Sequence, residues 1–147
     1  MKFLVLNGPN LNILGLREPD IYGHQSYGDL MRILSAHAEA LGVEVVFRQS
    51  NHEGDLVDAI QDAYFSGLDG IILNPAAYTH TSIAIPDAVR GVGLPTVEVH
   101  ISDISRREAF RHTSYVSAVA VKSISGQGLA GYTQALDFLA QYVGKKA

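Results

Sequence analysis

Short apolar runs in strict alternation with helical stretches predict an α/β fold: a doubly wound, five-stranded parallel sheet with helices on both faces. The runs Phe3–Leu6, Val43–Phe47, Gly70–Leu73, Thr96–Val99 and Ala118–Val121 are rich in Val and Ile, the composition of parallel strands covered on both sides. Between them, apolar residues recur at helical spacing next to residues that start or stop helices. Ser26 can cap a first helix, with Leu30, Ile33, Leu34, His37 or Ala38, and Leu41 on one face and Gly42 ending it. Asn51 can cap a second, with Leu56, Val57, Ile60, Ala63 and Tyr64 inward and Gly67 closing it. A third runs from about Ser82 or Ile85 to Arg90, with Pro86 in its first turn, where its missing N–H breaks no hydrogen bond. A short helix near Arg106–Arg111 is expected, and a last one over about Leu129–Val143 with Leu136, Leu139 and Val143 as its inner stripe.

At 147 residues the chain suits one domain, 1–147, long enough to bury a real core. A hydrophobic content of 47% with 18% charged residues is that of a globular chain, not a disordered one. The net charge of −4 and the scattering of the 11 Lys and Arg residues argue against a nucleic acid or an anionic membrane as partner. Cysteine is absent, which excludes disulfides and thiolate chemistry and agrees with a cytoplasmic setting. The first apolar run is too short for a secretory signal, and nothing approaches the length of a membrane span.

In open parallel sheets ligands bind beyond the carboxyl ends of the strands, where strand order reverses. For the common order 2-1-3-4-5, that crevice lies between strands 1 and 3. The first strand ends in Asn7-Gly8-Pro9-Asn10, and the third in Asn74-Pro75 followed by Tyr78, His80, Thr81 and Ser82. The fourth ends in Glu98-Val99-His100-Ile101-Ser102. Each taken alone has a plain reading: Asn-Gly-Pro and Asn-Pro as turns, Thr81 or Ser82 as a helix cap. Together they suggest a polar ligand. The connection from Asn7 to Gly23 is also far longer than the usual strand-to-helix link of about 2–6 residues. It carries Arg17, Glu18, Asp20 and Tyr22, the content of a lid or binding loop.

Competing motifs are missing. There is no phosphate loop, no Gly-x-Gly-x-x-Gly after the first strand and no Gly-x-Ser-x-Gly elbow. The six histidines lack the paired spacing of a zinc site, so no metal is expected. A signalling receiver would want acidic residues after the first strand and a flavin carrier a hydroxyl-rich loop; this chain has amides there. A hydrolase or isomerase using His80 or His100, and a non-catalytic binding module, remain rivals at the level of fold alone.

The segments NGPNLNILG with REPDIYG, FRQSNHEGDLVDAI, ILNPAAYTHTS, EVHIS with FRHTSYVS, and GYTQAL are similar, in order and spacing, to those of type II 3-dehydroquinate dehydratase. The resemblance covers essentially the whole chain. It implies a flavodoxin-like domain and a dehydration of 3-dehydroquinate to 3-dehydroshikimate with no cofactor and no metal. It also implies a place in the shikimate route to aromatic amino acids, or in some members in quinate breakdown, and a homododecamer built as a tetramer of trimers. By these matches Tyr22 resembles the proton acceptor, Arg17 the group that activates it and stabilises the transition state, and His100 the proton donor oriented by Glu98. Asn10 matches an amide associated with the enolate and its water. Asn74, His80, Ile101, Ser102 and Arg111 resemble substrate-binding groups, Asp87 an acidic residue reaching a neighbouring subunit's site, and Arg107 a further active-site arginine. Asp103 stands where the family commonly has Asn, and Pro86 before Asp87 is less usual.

These residue types suit such chemistry. A free tyrosine, with a pKa near 10, is only about one part in a thousand ionised at neutral pH, so a guanidinium must favour the phenolate. Arg17 stands five residues from Tyr22 in the same loop. Read without the resemblance, the two better fit a surface salt bridge of Arg17 to Glu18 or Asp20 and a packed Tyr22. The enolate needs preorganised donors, for which Asn10 and Asn74 are placed. The leaving hydroxyl needs an acid, and His100 with Glu98 two residues earlier on one strand face provides it. The substrate carboxylate suits either the N-terminal amides of a helix or Ser102 and the backbone N–H groups near Ile101.

Overall fold

The structure, a computed structural model, describes residues 1–16 and 18–146, and at Tyr22 the backbone alone. The strands β1 (Lys2–Asn7), β2 (Glu44–Gln49), β3 (Gly70–Asn74), β4 (Thr96–His100) and β5 (Lys122–Ser125) form one parallel sheet in the order β2-β1-β3-β4-β5. Helices α2 (Tyr27–Leu41), α3 (Glu53–Phe65), α4 (Ala84–Val92) and α5 (Ala130–Gly144) cover it, and a short α1 (Pro19–Tyr22) lies in the long first connection.

Side-chain alternation along the strands divides the core in two. Phe3 and Val5 of β1, with Ile72, Val97 and Val99, pack against Leu30, Leu34 and Ala38 of α2 and Tyr132, Leu136 and Leu139 of α5. Leu4 and Leu6, with Ile71 and Leu73, face Leu56, Ile60 and Ala63 of α3 and Ile85 and Val89 of α4. Ser26 caps α2 reciprocally: its hydroxyl accepts from the Asp29 N–H at 3.1 Å, while its own N–H donates to the Asp29 carboxylate at 2.9 Å. Pro86 sits in the first turn of α4, whose start is held by the Ile85 N–H donating to the Ser82 hydroxyl at 3.0 Å.

Four expectations are corrected. The fifth strand is Lys122–Ser125, not Ala118–Val121. The apolar run is instead a turn, in which the N–H groups of Val119 and Ala120 both donate to the Val116 carbonyl and fold the chain over the buried Val116 side chain. Asn51 does not cap α3; His52 stands at that position, and the Asn51 side-chain oxygen accepts from the Asn10 N–H at 3.0 Å. Tyr64 points outward, 53% exposed, because the buried stripe of α3 is Leu56, Ala59, Ile60 and Ala63. The helix expected near Arg106–Arg111 is two separate 3-10 turns, Ile104–Arg106 and Ala109–Arg111.

Candidate active site

The carboxyl ends of β1, β3 and β4 converge because Gly8 lets the first two close up. Its N–H donates to the Asn74 carbonyl at 2.8 Å, and a Cβ there would stand 2.4 Å from the Pro75 carbonyl oxygen. Two non-glycine residues beside this junction, Asn10 (φ 70°) and Ala76 (φ 54°), take left-handed backbone conformations. Such strain persists where surrounding bonds over-determine it. Asn51 holds the Asn10 turn, and the Ala76 N–H donates to the Asn74 side-chain oxygen at 3.1 Å.

A pocket of about 170 Å³ opens above these ends, lined by Asn10, Asn74, His80, His100, Ile101 and Ser102 together with Arg107 and Arg111. Apolar walls come from Leu11, Leu14, Ala76 and Ile104. Of the expected site residues, those eight meet here. Glu98 lies behind His100, its carboxylate oxygen 2.8 Å from the imidazole Nε2. Asp87 does not reach the pocket of its own chain; it is on α4, exposed, 3.6 Å from Arg90, beside a separate groove with Tyr64 and Phe65. Arg17 and the Tyr22 side chain lie outside the described residues.

Each polar group is held in a definite state. Since the Thr113 carbonyl only accepts, the His80 Nδ1 at 2.8 Å carries its ring proton and Nε2 is left as an acceptor. Burial, with the charges of His100 and Arg111 nearby, pushes His80 below the ordinary histidine range and favours the neutral ring. Glu98 is 1% exposed. Burial works to raise its pKa, but bonding and attraction to His100 and the hydroxyls of Ser114 and Ser123 prevail and hold it at about 2. The Arg107 guanidinium donates to the Ser102 hydroxyl at 3.3 Å and lies 3.8 Å from Glu18 in the long first connection. Arg111 donates to Glu108 at 2.9 Å. Asp103 accepts from the N–H and hydroxyl of Ser105 at 3.0 and 2.6 Å, so its side chain caps the turn after β4.

Sequence reasoning overlooked the groups beneath this surface. The wholly buried Tyr132 hydroxyl accepts from the Asn74 amide at 2.9 Å and donates to the Asn7 side-chain oxygen at 2.6 Å, tying β1 to β3 from α5. The signal was present: Tyr132 extends the Leu136 and Leu139 stripe one turn back. Serines 114, 117 and 123, which surround Glu98, carried no signal of their own.

Among the described residues no group of three or more His, Asp or Glu side chains is arranged to hold a metal ion. Among them, too, no helix is long and apolar enough to cross a membrane.

Residues 1–140 match the family model described as dehydroquinase class II. The 3-dehydroquinate dehydratase of Caldicellulosiruptor bescii is 54% identical over 135 residues, 92% of this chain and 93% of that one. The type II dehydroquinase of Butyrivibrio crossotus superposes with a TM-score of 0.93 at 51% identity, covering 95% of this chain and 97% of its own. A 3-dehydroquinate dehydratase-like protein of Bifidobacterium longum, 34% identical, superposes at 0.72 over 97% of this chain and 98% of its own. With its strand order, its pocket at the switch point and these likenesses, the chain belongs to the class II dehydroquinases, the family of the type II 3-dehydroquinate dehydratases.

Proposed function

We propose that this protein is a lyase that dehydrates 3-dehydroquinate to 3-dehydroshikimate by anti elimination through an enolate, as one step of the shikimate pathway. The observation that carries the reading is the pairing of His100 with a buried, ionised Glu98 on the wall of the strand-end pocket that also holds Asn10, Asn74 and two arginines.

The chemistry runs in two stages. The Tyr22 phenolate, favoured by the Arg17 guanidinium, takes a proton from the carbon next to the ring ketone, and the electron pair moves onto the ketone oxygen. Asn10 and Asn74, with an ordered water, stabilise the enolate. The His100 imidazolium then protonates the hydroxyl on the adjacent carbon. Water leaves as the enolate collapses, giving the conjugated double bond, and the protons of Tyr22 and His100 re-equilibrate with solvent. Burial pushes the phenols of Tyr27 and Tyr132 up, against the weaker pull of Asn7 and Asn74, so neither suits the part of base. The substrate carboxylate is bound by Ser102 and the backbone near Ile101, and the ring hydroxyls by neutral His80, Arg111 and Arg107.

The same reading makes residues 1–147 one catalytic domain of a cytoplasmic enzyme that needs no cofactor. It assembles as a homododecamer, a tetramer of trimers, in which Asp87 reaches the pocket of a neighbouring subunit. Exposed Phe65 and Ile83 on α3 and before α4 support contact on that side. Light scattering should report twelve subunits.

The functional test is ultraviolet detection of the conjugated enone carboxylate formed from 3-dehydroquinate by chelator-treated protein. Product should accumulate; its absence would overturn the assignment, and loss of activity on chelation would overturn its metal-free form.

A further inference from the structure

The Glu98 carboxylate presents about four acceptor directions, and four side-chain donors occupy them. On one oxygen, the hydroxyls of Ser117 and Ser123 each stand at 2.8 Å. On the other are His100 Nε2, at 2.8 Å, and the Ser114 hydroxyl. The topology explains why three serines arrive there. Ser123 lies opposite Glu98 in the β4–β5 register. Ser114 and Ser117 flank Val116, whose burial against the α3–α4 face of the sheet pins the segment after the Ala109–Arg111 turn over β4. The Ser117 N–H donates to the Ser114 oxygen at 3.2 Å, so the one Ser114 hydroxyl proton is directed at Glu98.

We propose that Ser114, Ser117 and Ser123 are positioning residues for the acid step: they saturate Glu98 and fix it as a permanent anion that orients His100 and never takes its proton. None of the three lines the pocket, so none touches substrate. A carboxylate left with spare acceptor directions would be free to turn away from the ring; with Ser117 and Ser123 on one oxygen and Ser114 beside His100 on the other, this one is not. The His100 ring then meets the pocket through Nδ1, which delivers the proton. His80, Arg107 and Arg111 are the other titratable or charged side chains that face His100 across the pocket. From β3 the residue opposite Glu98 is Leu73, and Lys122 of β5 is turned onto the Phe138 ring.

This rests on the dehydratase reading, and its test separates the two. In the double variant Ser117→Ala/Ser123→Ala, both positions being exposed on their outer side, the Glu98 carboxyl should titrate about two pH units higher by ¹³C NMR, about one for each charge-assisted bond removed. At neutral pH kcat for 3-dehydroquinate should fall about tenfold, with KM changed less than about twofold. Ser117→Thr/Ser123→Thr, which keeps both hydroxyls, should restore both values. If the native protein does not turn over 3-dehydroquinate, the dehydratase reading fails while the carboxyl titration still decides the clamp. The clamp itself is overturned if the alanine variant keeps the native titration, or if kcat is unchanged and only the melting temperature falls.

Discussion

The two sides of the pocket are built to opposite plans. The wall with His100 stands on the buried ends of β3 and β4, where Glu98 holds the imidazole and Tyr132 of α5 holds the Asn74 amide. The segment opposite lies at the surface: Leu16 is 82% exposed, Ile21 40%, and Glu18 begins α1 in a left-handed conformation. A buried charge with fixed partners costs no reorganisation when a proton is delivered. A surface segment can admit substrate and then cover it. The contrast teaches that the proposed acid is preorganised by buried partners, whereas the proposed base belongs to a connection whose described residues Leu16 and Ile21 lie at the surface.

The largest break should come from the base half. Tyr22→Phe is expected to lower kcat by a factor on the order of 10³ while substrate still binds, measured by steady-state kinetics and calorimetry. Next is the acid half. Glu98→Gln should lower kcat by about 10² and also change stability with pH. Because folding depresses the Glu98 pKa from 4.5 to about 2, its contribution is fully present above about pH 4.5 and lost as the pH falls toward 2. The variant should therefore show a flatter stability curve across that acid window in denaturant titrations. Tyr132→Phe leaves the Asn74 amide and the Asn7 oxygen each without this partner, at a cost of about 1–3 kcal/mol, and should raise KM more than it lowers kcat. The smallest effect belongs to Ser26→Ala, which removes the α2 cap for about 1 kcal/mol of stability and leaves kcat within error.

Much of the fold was legible because parallel strands buried on both faces read as continuous apolar runs; β1, β3 and β4 lie within a residue of their expected limits. The edge strand β5 escaped for the converse reason. Its sequence Lys-Ser-Ile-Ser buries one residue, and its serines are committed to Glu98 and to the carbonyl of Ser102. The apolar run before it was misleading because Val116 and Val119 pack as a turn on the α3–α4 face, without pairing in the sheet. In the site, strand-end Asn and His residues stood out because such residues are costly to place there without a partner or ligand. Serines gave no such warning: a hydroxyl fits a turn, a cap or a clamp alike, and those around Glu98 come from 16 to 25 residues away. Asn51 was misread in the same way, since an amide two residues before a helix serves a cap or a neighbouring turn equally well.

The central claim is that base and acid act in sequence through an enolate, and hydrogen exchange in deuterium oxide tests it most directly. Incubated with 3-dehydroquinate and followed by proton NMR, His100→Ala should exchange the proton beside the ketone faster than the enzyme-free rate yet form almost no 3-dehydroshikimate, whereas Tyr22→Phe should do neither. Exchange by Tyr22→Phe at the rate of His100→Ala, or exchange lost in both, would contradict the account.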